Sequence, residues 1–117
     1  MYLFRIPSTL TLVAALLACA MPTTSLRAED RPVYTLTIKD HHFHPDTLTI
    51  PAGKKVKIRV VNEDPTPEEF ESYELSREKV IRGNGEGIVF IGPLEPGTYP
   101  FFGEFNKETA QGQVVAE

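Results

Sequence analysis

The 117-residue chain carries 12 Lys+Arg against 16 Asp+Glu, a formal net charge of −4, and one cysteine. An acidic surface argues against nucleic acid and against an anionic membrane face as partners. A single cysteine excludes an intramolecular disulfide, so the fold rests on packing and hydrogen bonds.

The chain opens with one early charge, Arg5, then an apolar run from Leu10 to Ala20, then small residues. That is the layout of a secretory signal, and the run is too short to span a bilayer as a permanent helix. Cleavage points stand after Ala20 (in Ala18-Cys19-Ala20) and after Ala28. Leu16-Leu17-Ala18-Cys19 also resembles a lipobox, which would make Cys19 a lipid anchor. The expected organisation is a signal peptide over 1–28 and one domain over 29–117, exported to the periplasm or secreted. From Glu29 onward ten basic residues face sixteen acidic ones, a net charge of −6, and no cysteine remains. The exported domain therefore has no thiolate to act as nucleophile or metal ligand.

Beyond Val33 the dominant period is two. Tyr34, Leu36 and Ile38 alternate with Thr35, Thr37 and Lys39, the pattern of a strand with one buried face. Leu48 and Ile50 continue it and stop at the turn signal Pro51-Ala52-Gly53. Val56, Ile58 and Val60 alternate with Lys55, Lys57 and Arg59. Glu63 to Glu74 reads as an acidic loop broken by Pro65 and Pro67, with room for a short turn through Glu68 to Leu75. Further strands are expected around Glu78–Ile81, Ile88–Ile91, Tyr99–Phe102 and Gly112–Val115, and Tyr99, Phe101 and Phe90 are assigned to the core. Roughly seven short strands with turn signals every 8–12 residues predict an all-β sandwich.

Two motifs in order narrow this further. Ile38 to Val60 reads I-x-D-x-x-F-x-P-x-x-L-x-I-P-A-G-x-x-V-x-I-x-V, and Pro96-Gly97-Thr98-Tyr99-Pro100-Phe101 stands near the end. Together they resemble the cupredoxins over nearly the whole span Val33–Glu117, which implies a Greek-key β-sandwich. A narrower resemblance lies in Thr66-Pro67-Glu68-Glu69-Phe70-Glu71-Ser72, Arg77-Glu78-Lys79, Phe101-Phe102-Gly103-Glu104-Phe105 and Thr109-Ala110-Gln111-Gly112. It points to the cupredoxin-like periplasmic proteins of bacterial high-affinity ferrous-iron transport. That likeness implies a metal-binding accessory handling ferrous iron, with copper as the other ion, ahead of a membrane iron permease or a periplasmic redox partner.

A blue-copper centre needs two imidazoles, a thiolate and a weak axial thioether. The resemblance puts the first histidine just after the third strand, where this chain has Glu69-Phe70-Glu71. It puts the cysteine, second histidine and methionine after the Y-x-F strand, where this chain has Gly103, Glu104, Asn106 and Ala110. Blue-type electron transfer is excluded. Carboxylates suit harder or borderline divalent ions such as ferrous iron, manganese or oxidised copper. The expected site is a mixed one: Glu69 or Glu71, Glu104, and one or two of the clustered histidines His41, His42 and His44, of which His42 and His44 share one side of an extended strand. Against it stand a plain surface role for the histidines and a salt bridge of Glu104 to Arg77 or Lys79. Phe102 and Phe105 are expected as an apolar rim. A homodimer completing a metal site at its interface is compatible with the sequence. No nucleophile or phosphate loop is present, so ferroxidase chemistry is the one enzymatic reading left, and the chain offers no electron acceptor of its own. The rival reading is a metal-free sandwich that docks a permease or another periplasmic partner.

Overall fold

The computed structural model describes Leu3, residues 14–21 and residues 31–117. The signal segment expected over 1–28 lies largely outside the described residues. The strands are β1 (Val33–Lys39), β2 (His42–His44), β3 (Thr47–Ile50), β4 (Val56–Asn62), β5 (Glu68–Ser72), β6 (Arg77–Ile81), β7 (Glu86–Ile91), β8 (Gly97–Gly103) and β9 (Gln111–Ala116). They form a four-stranded sheet in the order β2-β1-β4-β7 and a five-stranded sheet in the order β3-β9-β8-β5-β6. β1 runs parallel to β4 and β3 parallel to β9, while the other neighbours are antiparallel.

The core is the seam between the sheets, filled by the side chains that the period of two turns inward. Leu36, Ile38, Val56, Ile58, Val60, Val89 and Ile91 come from one sheet, and Leu48, Ile50, Phe70, Ile81, Phe101 and Val114 from the other. Phe43 locks the two together, its ring edge-on to Phe101 at 5.0 Å and to Phe70 at 6.2 Å. Phe90 departs from expectation. Val89 and Ile91 take the inward positions of β7, so Phe90 faces out, 42% exposed, with the Arg31 guanidinium 5.2 Å from its ring centre.

Two strands were not expected, and both bear on the site. β2 is three residues long and reads as part of a loop. β5 lies inside the acidic run, where a loop or a short turn was expected. Its inward positions are Glu68, Phe70 and Ser72, so only one of three is apolar, and hydropathy gives no alternation to read.

The loop between β4 and β5 is organised from within. Asn62, fully buried, donates from Nδ2 to the Thr66 carbonyl at 2.8 Å and accepts from the Asp64 N–H at 3.0 Å. Asp64 then clamps the β1–β2 turn. Asp40 and His41 both have positive φ, 52° and 59°, which non-glycine residues adopt only at a cost. Their N–H groups donate to Asp64 Oδ1 and Oδ2 at 2.8 and 3.0 Å. Those bonds, the one from His41 foremost, hold the Asp64 carboxyl below its ordinary pKa against the opposing effect of burial. A lowered carboxylate contributes stability above its unfolded pKa and loses it as pH falls through the folded value. Asp64→Ala should therefore cost about 2–3 kcal/mol at neutral pH, from two unmet donors in a strained turn. Its urea midpoint should also fall less steeply than the wild type's on acidification.

Candidate metal site

Phe70 sets the parity of β5. Its ring is buried against Phe43 and Phe101, so Glu68 and Ser72 also point inward, while Glu69 and Glu71 point out of the five-stranded sheet. The two directions have separate chemistry.

Inside, Glu68 is 1% exposed. Its Oε1 accepts from the N–H groups of Glu69 at 3.0 Å and Phe105 at 2.9 Å, and its Oε2 accepts from Asn106 Nδ2 at 2.6 Å. No basic side chain pairs with it among the described residues. Neutral donors alone hold this carboxylate. Gly103 closes the other side. A Cβ there would stand 2.6 Å from Ala110 Cβ, 2.6 Å from Glu68 Cδ and 2.8 Å from Glu68 Oε2. Gly103, Asn106 and Ala110 are the residues at the expected copper-ligand positions, and Glu68 is the β5 residue they converge on. The set supplies one carboxylate and one amide where a blue-copper ion requires imidazoles and a thiolate, and the space is filled. A blue-copper ion does not fit this interior.

Outside, carboxylate oxygens of Glu69, Glu71 and Glu78 lie within 4.8 Å of one another. The register explains the grouping: Glu71 pairs directly with Glu78 across β5 and β6, and Glu69 is the next outward residue on β5. Glu104 follows the end of β8, where its N–H donates to the Glu69 carbonyl at 2.9 Å. The Glu71 carboxyl is pushed above its ordinary pKa. Loss of solvent contributes most, followed by a hydrogen bond with Glu69 and repulsion from Glu78, Glu69 and Glu104. Lys107 approaches Glu104 at 3.3 Å and lies 5.7 Å from the Phe102 ring centre, so the cation paired with Glu104 is neither Arg77 nor Lys79. Tyr73 packs edge-on to Phe102 at 5.5 Å, and Phe105 is 51% exposed, an apolar rim beside the acids.

Of the expected residues the structure groups the carboxylates of Glu69 and Glu71, holds Glu104 nearby by its backbone with its carboxylate on Lys107, and leaves the histidines out. His42 and His44 flank the inward Phe43 on β2, so they turn away from the core on the four-stranded sheet, while the carboxylates turn away from it on the other sheet. Their rings stand 6.3 Å apart, and His42 Nδ1 is 2.8 Å from the Asp40 carbonyl oxygen. The mixed carboxylate–imidazole set expected from the sequence does not assemble. Glu78 and Glu68 are the residues that reading missed. Glu78 needed the β5–β6 register, and Glu68 needed the knowledge that β5 is a strand, after which its spacing of two from Phe70 turns it inward.

Comparison with known proteins identifies the fold and the family. A family model described as a cupredoxin-like domain matches residues 9–116. An uncharacterised protein of Rickettsia prowazekii (strain Madrid E) is 41% identical over 80 residues, which span 68% of this chain and 64% of that one. Among solved structures, auracyanin A, a blue copper protein of Chloroflexus aurantiacus, aligns with a TM-score of 0.62 at 17% identity, over 73% of this chain and 98% of its own. Amicyanin from Paracoccus versutus aligns at 0.57 and 19%, over 79% and 85%. The metal-binding domain of a Cu(I)-exporting P-type ATPase of Streptococcus pneumoniae D39, solved with Cu(I), aligns at 0.62 and 18%, over 73% and 84%. At such identities the structures speak for the fold, and the family match covers almost the whole chain: this protein belongs to the cupredoxin-like domain family.

Proposed function

We propose that this is an exported metal-binding accessory of iron uptake, which holds ferrous iron, or copper(II), on the outer carboxylates of the five-stranded sheet. The observation that carries this reading is the convergence of Glu69, Glu71 and Glu78 within 4.8 Å, with Glu71 already resisting ionisation. Carboxylates crowded in this way repel one another, and a divalent cation with oxygen preference relieves that repulsion. Glu104 stands at the edge of this group: its charge acts on Glu71 while its carboxylate pairs with Lys107. Exposure on a sheet face suits an ion that is taken up and passed on, to a membrane iron permease or a periplasmic redox partner. Export rests on the secretory layout of 1–28, with or without a lipid on Cys19.

The test is calorimetric titration of the full exported domain with manganese(II), copper(II) and, anaerobically, iron(II). One-to-one binding of manganese(II) and iron(II) is expected, weakened by at least about tenfold in the Glu69→Gln, Glu104→Gln double variant, with a second equivalent for copper(II). Equal binding by wild type and double variant would sink the reading. His42 and His44 form a separate imidazole pair. His42→Ala with His44→Ala should reduce copper(II) uptake and leave manganese(II) affinity unchanged, because the two sets face away from the core on different sheets.

A metal-free docking role is the second reading, favoured by the exposure of Tyr73 (69%) and Phe105 (51%) beside the acids. Absence of cation binding to the wild-type domain would put that reading first.

A further inference from the structure

The interior and exterior carboxylates of β5 belong to one device. Glu68 Oε1 receives the N–H of Glu69, the first outward acid, and the N–H of Phe105, the neighbour of Glu104. Its Oε2 receives Asn106, and Asn106 in turn organises the loop that follows: its carbonyl accepts from the Ala110 N–H at 2.8 Å and the Thr109 N–H at 3.2 Å. Gly103 donates to the Ala110 carbonyl at 2.7 Å, closing the loop on itself. One buried carboxylate therefore ties β5 to the whole β8–β9 connection, at the point where the outer acids are mounted. Nothing in this tie requires a cation, and no volume is left for one beside Gly103.

We infer that the buried Glu68 carboxyl group cross-links β5 to the β8–β9 loop as a bound ion would, positions Glu69 and Glu104 outside, and leaves any metal on the outer face as exchangeable cargo. The cargo clause rests on the cation reading proposed above; the cross-link does not. A fold that depended on its ion would unfold on chelation, since binding energy would then be folding energy. Here the interior polar groups are already paired: no buried side-chain nitrogen or oxygen lacks a partner among the described residues. An outer ion adds stability only by mass action, as the logarithm of its free concentration once that exceeds the dissociation constant.

Three variants of the exported domain test this. Asn106→Ala removes one of the three bonds. Glu68→Ala removes all three and leaves a cavity. Glu68→Gln with Asn106→Asp reverses the side-chain bond: the introduced amide donates to the introduced carboxylate, while the amide oxygen still accepts both N–H groups. The readouts are the thermal midpoint with and without a chelator, the Glu71 pKa by carbon NMR, and manganese(II) affinity. Chelation should lower the wild-type midpoint by no more than this mass-action contribution and leave the domain folded. Asn106→Ala should bring the Glu71 pKa back toward an ordinary carboxylate value, as Glu69 and Glu104 lose their fixed distance from it, and should weaken manganese(II) binding several-fold. The reversed pair should restore both. Unfolding on chelation would overturn the inference. So would a loss of stability in Asn106→Ala with Glu71 titrating as before, because the tie would then be structural and would position nothing. If the wild type binds no cation, the cargo clause falls, and the Glu71 titration still decides the cross-link without any metal. Glu68→Ala adds the limiting case, and if that variant fails to fold, Asn106→Ala and the reversed pair decide the question between them.

Discussion

Gly103→Cys will put a thiol at the expected cysteine position without producing a blue-copper centre, and it will destabilise the domain. The added Cβ meets Ala110 Cβ and Glu68 Cδ, both at 2.6 Å, well inside van der Waals contact. Neither neighbour can yield cheaply. Ala110 has no side-chain torsion to turn, and its backbone holds Gly103 through a 2.7 Å hydrogen bond. Glu68 can move only by releasing its bonds to Glu69, Phe105 and Asn106. Overpacking a tight interior costs about 1–3 kcal/mol, and freeing a buried carboxylate puts this variant at the upper end of that range. In a domain of this size each kcal/mol lowers the melting temperature by about 4–8 °C. Gly103→Ala should lose nearly as much, since the clash is made by Cβ and not by sulfur. With copper(II), Gly103→Cys should lack the intense visible absorption of a thiolate–copper bond in a trigonal site, because residues 68 and 106 supply no imidazole. Wild-type stability in both variants, by thermal melting, would show that the interior is looser than these contacts require.

What could be read in advance follows from how burial is encoded. β1, β3 and β4 bury apolar side chains at every second position, so alternation announces them. β5 also buries every second residue, but two of the three are Glu68 and Ser72, made tolerable by hydrogen bonds that no composition reveals. Ser72 Oγ donates to the Pro100 carbonyl at 2.7 Å and accepts from the Leu75 N–H at 3.1 Å, a satisfaction that only the folded chain displays. In Glu86–Ile91 the difficulty is reversed. Ile88, Val89, Phe90 and Ile91 are all apolar, and parity is settled by the pairing with β4, which turns Val89 and Ile91 inward. The site divides in the same way. Glu69, Glu71 and Glu104 were legible as carboxylates on converging segments, but Glu78 joins them only through the register Glu71↔Glu78. The histidines were legible as a chelating triplet, yet which sheet β2 joins is a matter of topology, and topology carried them away from the acids.

Glu71→Gln will make the domain more stable and a worse metal binder at once. The sign follows from the raised pKa of Glu71, whose causes are lost solvent, the hydrogen bond with Glu69 and the charges of Glu78, Glu69 and Glu104. An acid whose folded pKa exceeds its unfolded one favours the fold while protonated, below the unfolded value. That advantage is lost as pH rises through the folded value. At neutral pH the ionised cluster is therefore a standing penalty, sharpened by the direct pairing of Glu71 with Glu78 across two antiparallel strands. Glutamine keeps the size and the hydrogen-bonding capacity of the side chain and removes the charge. Its melting temperature should exceed the wild type's at neutral pH and converge with it in acid, where Glu71 is protonated anyway. The same charge is what a cation would use. Wild-type affinity for manganese(II) should rise with pH across the Glu71 titration and then level off, since the proton and the ion compete for one carboxylate. Glu71→Gln should flatten that pH dependence and weaken manganese(II) binding at neutral pH by at least about tenfold. Glu78→Gln should move stability and affinity in the same directions, because it relieves the same pair. If Glu71→Gln instead lowered the melting temperature and left manganese(II) affinity intact, the cluster would be an ordinary solvated surface and the cation would have to bind elsewhere. A gain in stability tied to a loss of binding is the signature of charges kept together for a ligand, at the expense of the fold that carries them.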